Sequence, residues 1–325
     1  AAGTEFKIYD MDNEKYVEQV TTYPTTIVHK SYFTDADGYL ILPQNLKIGH
    51  YRIEEVTAPD GYTINKNYAE IKVDSDTLYQ IEPVSGDAII EVVYENHPVK
   101  GELTVVKKGE VLKDYGKDFK YEMENLAGAV FAIYAAEDIY TADFQKDDAG
   151  NRILEYAKDT LVAELTTDES GKAVLKDLPL GAYQVVEKTA PEGFVLNPEE
   201  QKVTFAYVDQ DTPVVTFDSE WQNSRQKAKV IVTKKEKDSD RVLEGGVFAL
   251  CAKEDIKNTD GDVLVKADTI MEQKATDKDG KIFFTADLPV GGSFYVKEVK
   301  APAGFVTTEE VKEFTFEYAG ADVPE

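Results

Sequence analysis

Lys107, Glu187 and Asn223 are polar residues whose neighbours of the same strand parity are mostly apolar. Lys107 follows Leu103 and Val105, Glu187 follows Tyr183 and Val185, and Asn223 follows Phe217, Ser219 and Trp221. Alternate residues of an extended strand share a face, so all three are predicted to turn toward a core. The placement recurs. Glu55 shares parity with Tyr51 and Ile53, Glu298 with Phe294 and Val296, Lys234 with Val230 and Val232, and Asn96 with Val92 and Tyr94. An isolated buried charge is expensive, so a repeated placement of this kind demands compensation. Three readings follow. The residues lie at strand ends, where long side chains reach back to water. Or Lys107 and Glu187 form a structural salt bridge with Asn223 bonded alongside. Or the three react.

The third reading uses the environment chemically. Desolvation favours the neutral form of both lysine and glutamate, which makes the amine a nucleophile and the carboxyl a proton carrier. Lys107 then attacks the carboxamide carbon of Asn223 while Glu187 bonds the amide, stabilises the developing oxyanion and shuttles protons, with ammonia leaving. A folded core supplies the high effective concentration that such a step needs. The neighbouring lysines, Lys108 and Lys235, are the alternative nucleophiles; parity favours Lys107 and Lys234.

The elements that must position these groups are legible as an internal repeat. One block reads HYRIEEVTAPDGYTI from His50, AYQVVEKTAPEGFVL from Ala182 and SFYVKEVKAPAGFVT from Ser293. A Gly-x-x-Phe block starts at Gly3, Gly128 and Gly245, and Asp-x-x-Gly turns fall at DADG, DESG and DKDG in the same order. ELTVVKKGE at Glu102 matches KVIVTKKEK at Lys229. The periodicity is two, which predicts strands, and the Gly turns predict hairpins between them. Short helices are expected near Ala136–Asp138 and Lys253–Asp255. Three β-sandwich units are predicted, at 1–98, 99–225 and 226–325, stacked end to end as a semi-rigid rod because the connections are too short to be flexible.

The Glu-x-x-Ala-Pro-x-Gly-aromatic strand, the Lys-Lys first strand and the Gly-x-x-Phe strand resemble the collagen-adhesin B-type (Cna-B, or SpaA-like) domains of Gram-positive surface adhesins and pilins. The resemblance covers essentially the whole chain. It implies an all-β, prealbumin-like (inverse immunoglobulin) sandwich, cell-wall-anchored extracellular display and a self-formed Lys-Asn isopeptide bond assisted by the glutamate. Carried over by position, Lys107 and Asn223 are the bonded pair and Glu187 its proton shuttle. Glu55 and Glu298 hold the same place in the outer units. Asn96 is left without a lysine and Lys234 without an asparagine, so the first unit is expected to lack its first strand and the third its last. No sortase-type signal or pilin lysine motif decides between polymerised pilin and anchored adhesin.

Composition sets outer bounds. The 325-residue chain carries a formal charge of -26, which repels nucleic acid and anionic membrane surfaces, and its single cysteine, Cys251, allows no internal disulfide. No apolar run is long enough to span a membrane. The acidic turns lack the ligand spacing of a calcium loop, His29, His50 and His97 lack metal spacing, and Cys251 reads as core packing, so no metal or cofactor is expected. The expected role is structural, a stalk segment whose partners are neighbouring repeats, with no enzymatic turnover. The alternative is a module that binds a host or matrix protein through an apolar patch, at 139–144 or between Tyr23 and Phe33.

Overall fold

Alternating burial along the strands organises the molecule. The computed structural model describes residues 2–76, 79–81, 88–141 and 146–325, and no helix occurs among them. In the middle unit two four-stranded sheets face each other. One holds the strand Lys100–Tyr115 between the antiparallel Lys172–Leu178 and the parallel Val214–Asn223, with Phe119–Asn125 paired to its outer half. The other runs Leu161–Thr166, Val130–Ala135, Gly181–Thr189, Glu200–Phe205. Leu103, Val105, Phe131, Ile133, Tyr183, Val185, Phe205 and Trp221 fill the space between them.

The outer units share the second kind of sheet. In the first it runs Lys15–Tyr16, Glu5–Asp10, Gly49–Thr57, Tyr68–Val73, over a small core of Ile8, Tyr32 and Tyr51. In the third it runs Ile270–Ala275, Val247–Ala252, Ser293–Lys300, Val311–Thr315, faced by Ile231–Thr233 paired with Lys281–Phe283. The predicted all-β tandem architecture is what the chain adopts.

Two local expectations were wrong. The segments near Ala136–Asp138 and Lys253–Asp255 are bends leading into small hairpins, Ile139–Tyr140 with Leu154–Tyr156 and Ile256–Lys257 with Val263–Val265. Three residues cannot meet the cost of helix nucleation, and their acidic side chains are engaged elsewhere. Glu137 accepts from the Ala182 amide at 2.9 Å, Asp138 from Lys158 at 2.8 Å and Asp255 from Ala267 at 2.9 Å. Phe217, grouped by parity with the core, is 37% exposed near the start of its strand.

The acidic turns use their carboxylates on their own backbone. Asp168 accepts from the Ser170 and Lys172 amides at 2.9 and 3.1 Å, and Asp35 and Asp277 do the same in their units. Gly38, Gly171 and Gly280 supply the left-handed backbone that these hairpins require.

The connections between units are held by backbone bonds. At the first, Val99 donates to Gly61 at 2.8 Å and Thr63 to His97 at 2.9 Å, and Ile64 reaches Gln210 of the next unit at 3.0 Å. At the second, Gln226 donates to Gly193 and Val195 to Ser224, both at 2.9 Å, and Leu196 reaches Ala321 at 3.0 Å. The Ala-Pro-x-Gly-aromatic block therefore builds the joint as well as ending the glutamate strand.

Candidate functional site: a buried Lys-Glu-Asn cluster

The first and last strands of the middle unit bring Lys107 and Asn223 onto one sheet face. They run parallel with Lys107 opposite Trp221 and Gly109 opposite Asn223, so the two polar side chains sit a step apart on the inward side. Glu187 arrives from the facing sheet, cross-strand from Phe131. Relative exposure is 0% for Lys107, 6% for Glu187 and 3% for Asn223. These are not strand ends reaching water.

The three form a closed set of contacts. Lys107 Nζ lies 2.8 Å from Glu187 Oε1 and donates directly to Asn223 Oδ1. Asn223 Nδ2 donates to the same Glu187 oxygen at 2.9 Å. The other carboxylate oxygen is pinned by the Asn197 amide at 2.7 Å. Burial holds the Lys107 ammonium below the usual lysine range, against the opposing hydrogen bond and charge of Glu187.

Glu187 Oε1 thus bridges the amine and the amide nitrogen of Asn223. It faces the group that would leave rather than the carbonyl oxygen. Asn223 Oδ1 accepts from Lys107 Nζ, while the Glu187 oxygens meet the Lys107 amine, the Asn223 amide nitrogen and the Asn197 backbone amide.

Three contributors were not assigned from sequence. Phe131 places its ring under the amine, with Lys107 Nζ 5.7 Å from the ring centroid, and Phe248 lies the same way under Lys234 at 5.8 Å. This accounts for the phenylalanine of the Gly-x-x-Phe block, which in all three units is cross-strand from the glutamate. Asn197 contributes only a backbone amide, which no side-chain pattern can show. Gly109 leaves room above the site. A Cβ there would fall 2.5 Å from both the Leu126 and Phe194 side chains, so the aromatic of the Ala-Pro-x-Gly-aromatic block packs directly against the bare backbone opposite Asn223.

The alternative nucleophiles are elsewhere. Lys108 points outward to Glu220 at 2.7 Å, and Lys235 pairs with Asp240 at 3.0 Å on the surface.

The outer units each hold part of the set. In the first, Asn96 Nδ2 donates to Glu55 Oε1 at 2.7 Å and the Asn65 amide holds Glu55 Oε2 at 2.9 Å. In the third, Lys234 Nζ lies 2.9 Å from Glu298 Oε1, with the Thr308 amide on Oε2 at 2.8 Å. Among the described residues, only the middle unit brings lysine, glutamate and asparagine together.

Of the remaining candidates, Cys251 is a buried free thiol on a core strand. His50 pairs with Asp12 at 3.1 Å and His29 with the Thr21 hydroxyl at 3.0 Å. Among the described residues, no group of three or more His, Cys, Asp or Glu is arranged to hold a metal. The patch proposed at 139–144 falls partly on residues outside those described.

The family model for the SpaA prealbumin-like fold domain matches residues 2–85, 117–221 and 228–323. The chain belongs to the SpaA prealbumin-like domain family. Serine-aspartate repeat-containing protein D of Staphylococcus aureus (strain Newman) is 26% identical over 300 residues, 85% of this chain. The match spans only 19% of that relative's length. Among solved structures, the Bacillus anthracis TIE protein matches 98% of this chain and 46% of its own, at 23% identity and a TM-score of 0.58, which shows the shared fold. Shaft pilin SpaA of Lactobacillus rhamnosus GG matches 68% of this SpaA-type chain and 95% of its own, at 16% identity and a TM-score of 0.27.

Proposed function

We propose that this chain is a stalk segment of a cell-wall-anchored Gram-positive adhesin or pilin, whose middle SpaA-type unit closes an isopeptide bond between Lys107 and Asn223. Its SpaA-type domains, and its similarity to a serine-aspartate repeat-containing protein of Staphylococcus aureus, support a structural role at such a surface. The observation that carries the bond is the Glu187 oxygen shared between the Lys107 amine and the Asn223 amide nitrogen in a closed core.

The step balances as an amide exchange. Lys107 gives a proton to Glu187, and the neutral amine attacks the Asn223 carboxamide carbon. The C–N bond to Nδ2 breaks as Glu187 passes that proton to the leaving nitrogen, and the carboxylate then takes up the second proton shed by the attacking amine. Lysine and asparagine are joined by a neutral secondary amide, ammonia departs and Glu187 is left protonated. The ring of Phe131 and the lid formed by Phe194 and Leu126 keep water from competing. This is one turnover on the chain's own residues, with no external substrate and no cofactor.

The bond joins the first strand of the unit to the last. Tension entering at Lys100 and leaving beyond Asn223 passes through it and bypasses the rest of the sandwich. Intact-mass measurement of the denatured chain tests the proposal. One ammonia missing, about 17 Da, is the expected result; a full-mass chain removes the cross-link and leaves a buried salt bridge.

A second reading, direct binding to a host or matrix protein, draws on the first unit. Tyr23 (89% exposed), Ile27, Val28 and Phe33 present apolar side chains to solvent there. Binding to immobilised matrix proteins by the whole chain, abolished in a Tyr23→Ser, Val28→Ser, Phe33→Ser variant, would favour it.

A further inference from the structure

The middle unit differs from the third by an insertion. Twenty residues separate Lys107 from Gly128, against ten between Lys234 and Gly245. The added length is the outer half of Lys100–Tyr115, turned at Gly116 and paired antiparallel with Phe119–Asn125. Its apolar side chains do not serve the middle core. Leu112 and Phe119, 9% and 6% exposed, are buried with Leu250, Ile256, Val265, Ile282 and others of the third unit, and Tyr115 and Tyr121 pack on the same cluster.

Polar contacts fasten the hairpin from both sides. The Tyr121 hydroxyl donates to the Asp287 carbonyl at 2.9 Å. Arg225, two residues past Asn223 and 5% exposed, stacks its guanidinium 3.7 Å from the Tyr121 ring centroid. The same guanidinium lies 3.5 Å from Glu110 on the hairpin and pairs with Asp287 of the third unit. A buried arginine between two carboxylates of different units, face to face with an aromatic ring, is a clasp that neither unit forms alone.

We propose that the hairpin Gly109–Asn125 is a splint belonging structurally to the third unit, completing that unit's core and making its stability depend on the middle unit. Leu112 and Phe119 leave the core of the middle unit untouched, so a lesion at either opens the third unit first. The joint between these two units is therefore rigid by shared packing, beyond what its short connection imposes. The splint stands whether or not Lys107 and Asn223 are bonded.

Hydrogen exchange on the whole chain tests this. In Leu112→Ala and Phe119→Ala variants, amides of Val247–Ala252 and Ser293–Lys300 should exchange on the order of a hundredfold faster, while Val130–Ala135 keeps its wild-type protection. Leu112→Val provides a graded version, at roughly tenfold, should the alanine variants fail to fold. Lys117→Ala, at the exposed turn, should change nothing. Unchanged protection in the third-unit strands, or loss of protection in Val130–Ala135 together with them, overturns the splint.

Discussion

Substituting Asn223 by Ala deletes the electrophile while leaving the Lys107–Glu187 ion pair in place, so it isolates what the bond contributes. The proposed bond would close a loop spanning 116 residues. By the unfolded-state entropy of such a loop it would stabilise the middle unit by about 5 kcal/mol. For a unit of this size that corresponds to roughly 20 °C in melting temperature. Glu187→Gln goes further. It stops proton transfer and also strips Lys107 of its buried counter-charge, which costs about 3–5 kcal/mol more. Both variants should keep full mass, and scanning calorimetry should place Glu187→Gln below Asn223→Ala. The salt-bridge reading makes a different forecast: wild type at full mass, and Asn223→Ala lower by only about 1–3 kcal/mol for lost buried hydrogen bonds. A wild-type chain without its ammonia deficit, together with that small drop, would refute the cross-link argument. So would a Glu187→Gln chain that still closes.

Lys107→Met should abolish the mass deficit, whereas Lys108→Met should retain it and change stability by less than about 1 kcal/mol, since its ion pair with Glu220 is exposed. Stability of the Asn223→Ala variant should rise with pH from the depressed folded-state value of Lys107 up to the ordinary lysine range. In that window the unfolded lysine binds the proton more than the folded one does, and a closed wild-type chain, whose Lys107 is an amide, lacks this slope; urea midpoints at two pH values read it. Gly109→Ala should destabilise the middle unit by about 1–3 kcal/mol and slow closure, because the new methyl meets Leu126 and Phe194 at 2.5 Å; denaturant melts and time-resolved intact mass measure the two effects.

Much of the site was legible because a strand's period is fixed by covalent geometry. Parity alone turned Lys107, Glu187 and Asn223 inward, and the threefold recurrence of the blocks separated pattern from accident. The same rule failed for Phe217, which is exposed near the start of its strand, where parity ceases to mean burial. The two helix expectations failed for a different reason: the three-residue acidic segments found backbone amides elsewhere in the chain instead of forming a turn of their own.

Sequence by itself determined the succession of strand blocks along the chain, the repeat and the chemical identity of the three residues, since each depends on local periodicity and residue type. Tertiary structure decided what those residues can do to one another. The parallel pairing of first and last strands sets Lys107 beside Asn223, and the facing sheet delivers Glu187 to the amide nitrogen rather than to its oxygen. It also decided that the hairpin of one unit lies in the core of the next. No local pattern carries that information, because Leu112 and Phe119 read as inward-facing whichever core receives them.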